Sequence, residues 1–196
     1  YTFKEHEGSF LVGLAAGIES KKDAVGFIGG MNFYLINKFE CGYVAGVRTS
    51  NFSIEPHVYY SHSFSYPHTG FYYSTLQHEL DSVDVIFSAA GYTGHGVIES
   101  AEIFNYYAIG VDYDQSGESP DHVLCSMVKK IDQATYLAVQ SLMEDTFVGG
   151  EESVLGIAEN GVDYSDDAGN LKAKTITALE KAKADIIDEI IVVPEN

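Results

Sequence analysis

Short apolar runs alternate with helix-like segments along residues 24–130, and this alternation restricts the possible fold most strongly. The runs AVGFIGG (24–30), VDVIFSAAG (83–91) and YYAIGVD (106–112) are almost continuously apolar. Such runs are typical of parallel strands that are covered on both faces. The segments between them carry apolar residues at helical intervals. The pattern predicts an α/β fold with a mainly parallel sheet and helices on both faces.

The predicted elements can be assigned to ranges of the sequence. A helix over 34–49 places Leu35, Phe39, Tyr43 and Val47 on one face, because these residues are spaced by four. Asp132 is the predicted N-cap of a helix over 132–145, whose broad apolar arc requires a partner surface. The other predicted helices are 69–82, 94–105 and 172–189. The predicted strands are 24–30, 54–64, 83–91, 106–112 and 122–130. The chain also opens with a strand-like run and has one short predicted strand in SVLGIA (153–158).

The predicted strands end in loops that belong to a single edge. Ligands of an open parallel sheet bind beyond the carboxyl ends of its strands. Asp112 ends a predicted buried strand and Asp114 follows two residues later, so this acid pair lies at a predicted binding edge. The four loops of that edge are Gly29-Gly30-Met31, Ser63-Phe64, Ala90-Gly91-Tyr92 and Asp112-Tyr113-Asp114.

Charge and composition exclude several classes of protein. The 196 residues carry a formal net charge of −18, which disfavours a nucleic-acid partner because the phosphate backbone would repel the chain. With 45% hydrophobic residues, the chain can bury a core. No run reaches the roughly 18 apolar residues of a membrane span. Cys41 and Cys125 lack zinc-ligand spacing and are expected to be small buried residues.

Two kinds of catalytic chemistry could use the acid pair. VDYDQS resembles the DxDx(T/V) signature of haloacid-dehalogenase-type phosphatases, but Ser116 stands where Thr or Val is needed. Asp112, Asp114 and His95 offer oxygen and nitrogen donors for a hard cation, as a metal-dependent nucleoside hydrolase would require. Three other histidines lack the spacing of metal ligands and are expected at the surface or half-buried: His57, His62 and His68.

Binding of a sugar-containing ligand fits the same edge better. A carboxylate at a strand end can accept hydrogen bonds from two neighbouring hydroxyls, and Asp112 is placed to do so. Phe64, at a neighbouring strand end, can stack on a flat base. The Gly-rich AAGYTGHG turn opens a helix, so its N–H groups could donate to a ligand or only form a tight turn. Lys129 or Lys130 could contact the ligand, orient the acid or remain solvated.

Six blocks in the first two thirds of the chain resemble the basic membrane protein family of ABC-transporter substrate-binding lipoproteins, which includes purine-nucleoside receptors. The blocks follow the order of the family and span roughly residues 2–135. They are FKEHEGSFLVGLAAG, VGFIGGM, KFECGYVAG, VIFSAAGYTGHGV, IGVDYDQ and SMVKKID.

The resemblance implies a periplasmic-binding-protein-like fold of type I, in which two hinged α/β lobes hold the ligand between them. Residues 1–196 would then be mainly the second, C-terminal lobe, and the first lobe would precede Tyr1. Residues 1–3 would form a strand that crosses the hinge. The helix within 131–148 would pack on the missing first lobe.

The resemblance also implies the ligand site. Phe64 would stack on the base, Gly91 would lie beside the ligand, Asp112 would hold the ribose hydroxyls and Lys129 would contact the ligand region. Asp114 would be a loop or hinge acid. The family implies no catalytic residue, metal or cofactor.

The expected function is that of an exported solute-binding protein. It would bind a purine nucleoside and deliver it to an ABC permease. The protein would be held at the membrane only by an N-terminal lipid anchor that this chain does not include. Two alternatives stay open at this point: a metal-dependent nucleoside hydrolase, and a ligand-sensing regulatory protein without a permease.

Overall fold

The protein is built around a six-stranded sheet, seen in a computed structural model that describes residues 1–195. The strands are β1 (Thr2–Phe3), β2 (Val25–Gly29), β3 (His57–Tyr60), β4 (Val85–Ala89), β5 (Tyr107–Asp112), β6 (Val123–Lys129), β7 (Val154–Leu155) and β8 (Val162–Ser165). The order in the main sheet is β3-β2-β4-β5-β6-β8, and only β8 runs antiparallel. β1 and β7 pair in parallel as a separate two-stranded sheet.

Helices cover both faces of the main sheet, as the sequence predicts. They are α1 (Glu5–Glu19), α2 (Tyr34–Ser50), α3 (Pro67–Asp81), α4 (Gly94–Phe104), α5 (Ile131–Met143) and α6 (Ala173–Ile187). Successive residues of a strand point to opposite faces. Phe27 and Phe87 therefore join the larger core with α1, α2 and α6, whereas Ile28 and Ile86 join a smaller core with α3 and α4.

Helix α1 was not predicted from the sequence, where residues 1–10 have a strand-like pattern. Thirteen of its 15 residues are buried, so it has no polar stripe that would mark a helix. Its packing against α2 depends on small residues. A Cβ atom added at Gly46 would lie 2.0 Å from the carbonyl oxygen of Phe10, and one at Gly13 would lie 2.2 Å from that of Tyr43. The two helices therefore pack backbone against backbone.

Two predicted strand assignments were wrong. The strand expected over 54–64 is only β3, because Pro56 has no N–H to donate and His62 turns the chain with a left-handed φ of 57°. The acidic stretch 147–170 contains two strands rather than one. Its second strand, β8, was hidden by charged residues such as Asp163, whose carboxylate is paired with Lys130 and Lys183.

Two residue-level expectations were also wrong. Asp132 is not an N-cap: α5 begins at Ile131, and the N-cap position is occupied by Lys130, which makes no side-chain cap. Asp132 instead lies in the first turn, where its charge favours the helix dipole. Cys125 is buried as expected, but Cys41 is only half-buried. Within residues 1–195, none of the helices has the length and apolar character needed to cross a membrane.

Candidate functional site

The four predicted ligand-binding residues, Phe64, Gly91, Asp112 and Lys129, line one pocket at the carboxyl edge of the sheet. The pocket has a volume of about 160 Å³. Its floor and walls are otherwise apolar. The Asp112 carboxylate and the Lys129 ammonium are its only charged lining groups among the described residues. The remaining lining residues are Phe33, Leu35, Ile36, Phe39, Ala89 and Val111.

Asp112 ends β5 in an unusual backbone conformation. Its φ is +70°, a left-handed value that Asp tolerates better than most side chains. The strand end is held by Gln115, whose Oε1 accepts a hydrogen bond from the N–H of Val111 at 2.8 Å. The Asp112 side chain keeps 49% of its surface exposed, so its carboxylate is available to a ligand. Non-glycine residues in such conformations concentrate at functional sites.

Phe64 is held in place by two neighbouring loops. Its ring packs on Gly30 so closely that a Cβ atom there would lie 2.1 Å from Cε1 of the ring. Phe33 makes an edge-on contact with the same ring, with centroids 6.0 Å apart. The backbone on either side of Phe64 is tied to the buried Thr93, whose Oγ1 accepts from the N–H of Tyr66 at 3.0 Å and donates to the carbonyl of Ser63 at 3.2 Å. These contacts orient the ring towards the pocket.

Gly91 forms the turn next to the ring. Its φ of +54° is in the left-handed region, which glycine adopts at little cost. A Cβ atom at this position would approach the carbonyl oxygen of Phe64 to 3.3 Å. The Gly-rich turn thus lets the loops after β3 and β4 lie against each other.

The structure separates the two candidate lysines. Neighbouring residues at a strand end point in opposite directions, and Lys129 lines the pocket while Lys130 contacts Asn160 and Asp163. The Lys129 ammonium lies 3.5 Å from Oδ1 of Asp112 and 4.9 Å from the centroid of the Phe39 ring. Its side chain is only 15% exposed.

Asp114 has a different environment from Asp112. Its carboxylate accepts hydrogen bonds from the N–H and hydroxyl of Ser116 and from the hydroxyl of Ser165. Burial alone would raise the pKa of Asp114, but these hydrogen bonds outweigh burial and lower it. His95 is paired with Glu118. In the part of the chain that the structure describes, no three His, Cys, Asp or Glu side chains are grouped to hold a metal ion.

A second cavity, of about 200 Å³, lies at the opposite end of the sheet. Two of its polar side chains, those of Asp84 and His122, already have partners. Asp84 accepts from the hydroxyl of Ser20 and the N–H of Lys21, and His122 contacts Ser119 and Asn105. Among the described residues, no phenylalanine ring lies beside the exposed acid of this cavity, Asp121, so the cavity has no counterpart of Phe64.

Sequence reasoning missed two aromatic rings that line the pocket and one charged residue behind it. Phe33 and Phe39 line the pocket from the loop after β2 and from α2. Phe33 follows the named Gly29-Gly30-Met31 loop by two positions, so its place at the edge was a detectable signal. Glu5 lies behind Lys129, with its carboxylate 3.3 Å from the ammonium. It lies on the unpredicted helix α1, and nothing in the sequence pattern connects it with residue 129.

Comparison with known proteins identifies relatives along the whole chain. The sequence profile of the Bmp family, described as ABC transporter substrate-binding protein PnrA-like, matches residues 1–196. Basic membrane protein A of Borreliella burgdorferi is 32% identical over 198 residues, which cover 100% of this chain and 58% of that protein. The ABC transporter nucleoside-binding protein BmpA of Lactococcus lactis is 32% identical over 212 residues, which cover 100% of this chain and 60% of that protein.

The fold has close counterparts among solved structures. An ABC transporter solute-binding protein from Aeropyrum pernix superposes with a TM-score of 0.83 at 24% identity, over 99% of this chain and 66% of that one. The periplasmic-binding-protein-like fold is therefore confirmed. The chain spans 58–60% of the length of the two relatives named above.

Proposed function

Because this chain belongs to the Bmp family of PnrA-like ABC transporter substrate-binding proteins, we propose that it forms the ligand-binding second lobe of a nucleoside receptor. One observation carries the proposal. An aromatic ring oriented by its neighbours, an available carboxylate and a lysine converge in a single apolar pocket at the carboxyl edge of the sheet. The receptor binds a purine nucleoside between its lobes and delivers it to an ABC permease. No reaction is catalysed.

The chemistry of the pocket supports a nucleoside in particular. The Phe64 ring offers a stacking surface for a flat base, a contact that contributes about 1–3 kcal/mol. The Asp112 carboxylate can accept hydrogen bonds from the 2′- and 3′-hydroxyls of ribose, which would select ribonucleosides over free bases. The apolar walls favour an uncharged ligand over a nucleotide, whose phosphate the −18 net charge of the chain would repel.

An exposed apolar face supports the second-lobe assignment. Helix α5 is packed on one side only, and Tyr136, Val139, Leu142 and Met143 are each more than half exposed. Monomeric soluble proteins rarely leave such a contiguous patch uncovered. We expect the first lobe to cover it, within the range 131–148. We expect the β1–β7 pair, which is separate from the main sheet, to continue into that lobe.

The cellular setting follows from the same family. The protein is exported, acts at the cell surface or in the periplasm and is held at the membrane by a lipid anchor. The name of the Lactococcus lactis relative, a nucleoside-binding protein of an ABC transporter, supports both the ligand class and the permease partner. A lipidated N-terminal cysteine, sought by mass spectrometry of the full-length protein, tests the anchor.

Calorimetric titration of the full-length protein with adenosine and 2′-deoxyadenosine tests the proposal. The wild type should bind adenosine more tightly, and Asp112→Ala should abolish adenosine binding. Asp121→Ala, which removes an exposed acid beside the opposite cavity, is the matched control and should bind normally. Equal affinity of the wild type and Asp112→Ala for adenosine would contradict the role of this carboxylate.

Replacement of the stacking ring gives an independent test. Phe64→Ala should weaken adenosine binding by about 1–3 kcal/mol. Phe52→Ala is the control, because Phe52 is 83% exposed and lies outside the pocket. A loss of only a few tenths of a kcal/mol for Phe64→Ala would show that the base lies elsewhere.

A further inference from the structure

A chain of buried charges runs behind the pocket wall. Glu5 is only 4% exposed, and its two carboxylate oxygens face two different lysines. Oε1 lies 3.3 Å from the Lys129 ammonium, and Oε2 lies 3.1 Å from that of Lys38. Lys129 in turn lies 3.5 Å from Asp112, and Lys38 donates a hydrogen bond of 3.0 Å to the carbonyl of Phe3 in β1.

The Lys129 ammonium is therefore shared between two carboxylates at nearly equal distances. A shared cation is attracted to both and moves fully to neither. If Glu5 lost its charge, Lys129 would be drawn to Asp112 alone. A close ion pair would then occupy the Asp112 oxygen that must accept hydroxyl protons from a ligand.

We propose that Glu5 is a positioning residue, which holds Lys129 back from Asp112 so that the Asp112 carboxylate stays available to the ligand. The inference rests on the proposed function, since it assumes that Asp112 binds ligand hydroxyls. Glu5 does not itself reach the pocket, because it is not among the lining residues. It acts through Lys129.

The contacts of Glu5 differ from those of its buried neighbour Glu7. Glu7 secures a turn, since its carboxylate accepts from the N–H of Ile157 at 2.8 Å and pairs with Lys4 at 3.1 Å. No backbone N–H among the described residues donates to Glu5. A buried ion pair is weak evidence for a stabilising role, because well-packed apolar residues often serve as well. Glu5 instead sets the positions of the Lys38 and Lys129 ammonium groups.

The test compares Glu5→Gln with Glu7→Gln in the full-length protein, with adenosine as the probe in calorimetry. Both variants remove one buried negative charge from the first turn of α1. Glu5→Gln should raise the Kd for adenosine about tenfold. Glu7→Gln should lower the melting temperature but leave the Kd within about twofold of the wild type. Equal Kd values for Glu5→Gln and the wild type would overturn the inference.

A double-mutant cycle establishes that the effect passes through Lys129. In a Lys129→Met background, Glu5→Gln should not change the Kd further, because the lysine that it positions is absent. The same rise in Kd in both backgrounds would show that Glu5 acts by another route. Glu5→Gln also leaves the buried Lys38 ammonium with only the carbonyl of Phe3 as a hydrogen-bond partner among the described residues. If Glu5→Gln alone does not fold, its combination with Lys38→Met removes this unpaired charge and should show the rise in Kd expected of Glu5→Gln.

The failure of the inference is distinguishable from that of the proposed function. If the wild type binds no ribonucleoside, the proposed function fails. The position of Lys129 in a crystal structure of the Glu5→Gln variant tests separately whether Glu5 holds Lys129 away from Asp112. Movement of its ammonium to about 3 Å or less from Asp112, the range of a charge-assisted hydrogen bond, would support it. An unmoved lysine would overturn it.

Discussion

The contact between Gly30 and Phe64 predicts that a single methyl group can impair binding without harming the fold. In Gly30→Ala, the new Cβ atom would lie 2.1 Å from Cε1 of the Phe64 ring, whereas ordinary contact begins at 3.4 Å. The ring must therefore retreat by about 1.3 Å. The backbone of Gly30 is outside the left-handed region, so alanine fits it without strain.

The size of the effect follows from the stacking contact that the displaced ring would lose. Stacking contributes about 1–3 kcal/mol, so Kd should rise roughly fivefold to 150-fold. Stability should change little, because the half-exposed ring can move and because alanine reduces the freedom of the unfolded chain by about 0.4–1 kcal/mol. Calorimetry with adenosine measures the Kd, and urea unfolding of the same protein measures the free energy of unfolding.

Gly117→Ala is the matched control for Gly30→Ala. A Cβ atom at Gly117 would meet nothing within 4 Å, so this variant should bind adenosine normally. An unchanged Kd for adenosine in Gly30→Ala would contradict the stacking role of Phe64, since it would mean that the position of the ring does not matter for binding. A large loss of stability in Gly30→Ala would contradict the expectation of an intact fold, because it would show that the loops around the ring cannot adjust.

Two further predictions concern stability and the exposed helix. Glu19→Ala should lower the free energy of unfolding by about 2–3 kcal/mol in urea, because the hydroxyl of Thr175 and the N–H of Lys172 lose their buried acceptor. Burial alone would raise the pKa of Glu19, but hydrogen bonds from Lys172 and Thr175 lower it below its ordinary 4.5. The stabilisation by Glu19 is therefore present above about pH 4.5 and is lost as the pH falls through the lowered pKa. A difference in unfolding free energy between wild type and variant that does not depend on pH would contradict this. If a first lobe covers the 59%-exposed Leu142, Leu142→Glu should lower the melting temperature of the full-length protein by several degrees. The control Phe52→Glu should not lower it. Equal melting temperatures of Leu142→Glu and the wild type would oppose the second-lobe assignment.

The main sheet could be predicted from the sequence because its strands are short, apolar and separated by helical segments. Confirmed assignments include β2, β4 and β5, each within two residues of the predicted bounds at both ends. Prediction failed where burial or charge hid the periodicity. Helix α1 is buried nearly all round, and β8 carries an acid, Asp163, whose lysine partners are distant in the sequence. Both depend on tertiary contacts that no local pattern records.

The candidate site could be predicted in part. Phe64, Gly91 and Asp112 follow strand ends, so topology alone places them at one edge, and the structure brings them together with Lys129. The choice of Lys129 over Lys130 needed the family resemblance, because the strand pattern does not show which face of β6 meets the pocket. Glu5 could not be found, because its contact with Lys129 joins residues more than 120 positions apart.

The most direct test of the central claim is mass spectrometry of the ligand that the full-length protein retains when it is purified natively and then denatured. We expect a purine ribonucleoside to be released from the wild type and to be absent from Asp112→Ala prepared in the same way. Release of a ligand without ribose, or of the same ligand in equal amount from Asp112→Ala, would contradict the assignment of this pocket to a nucleoside.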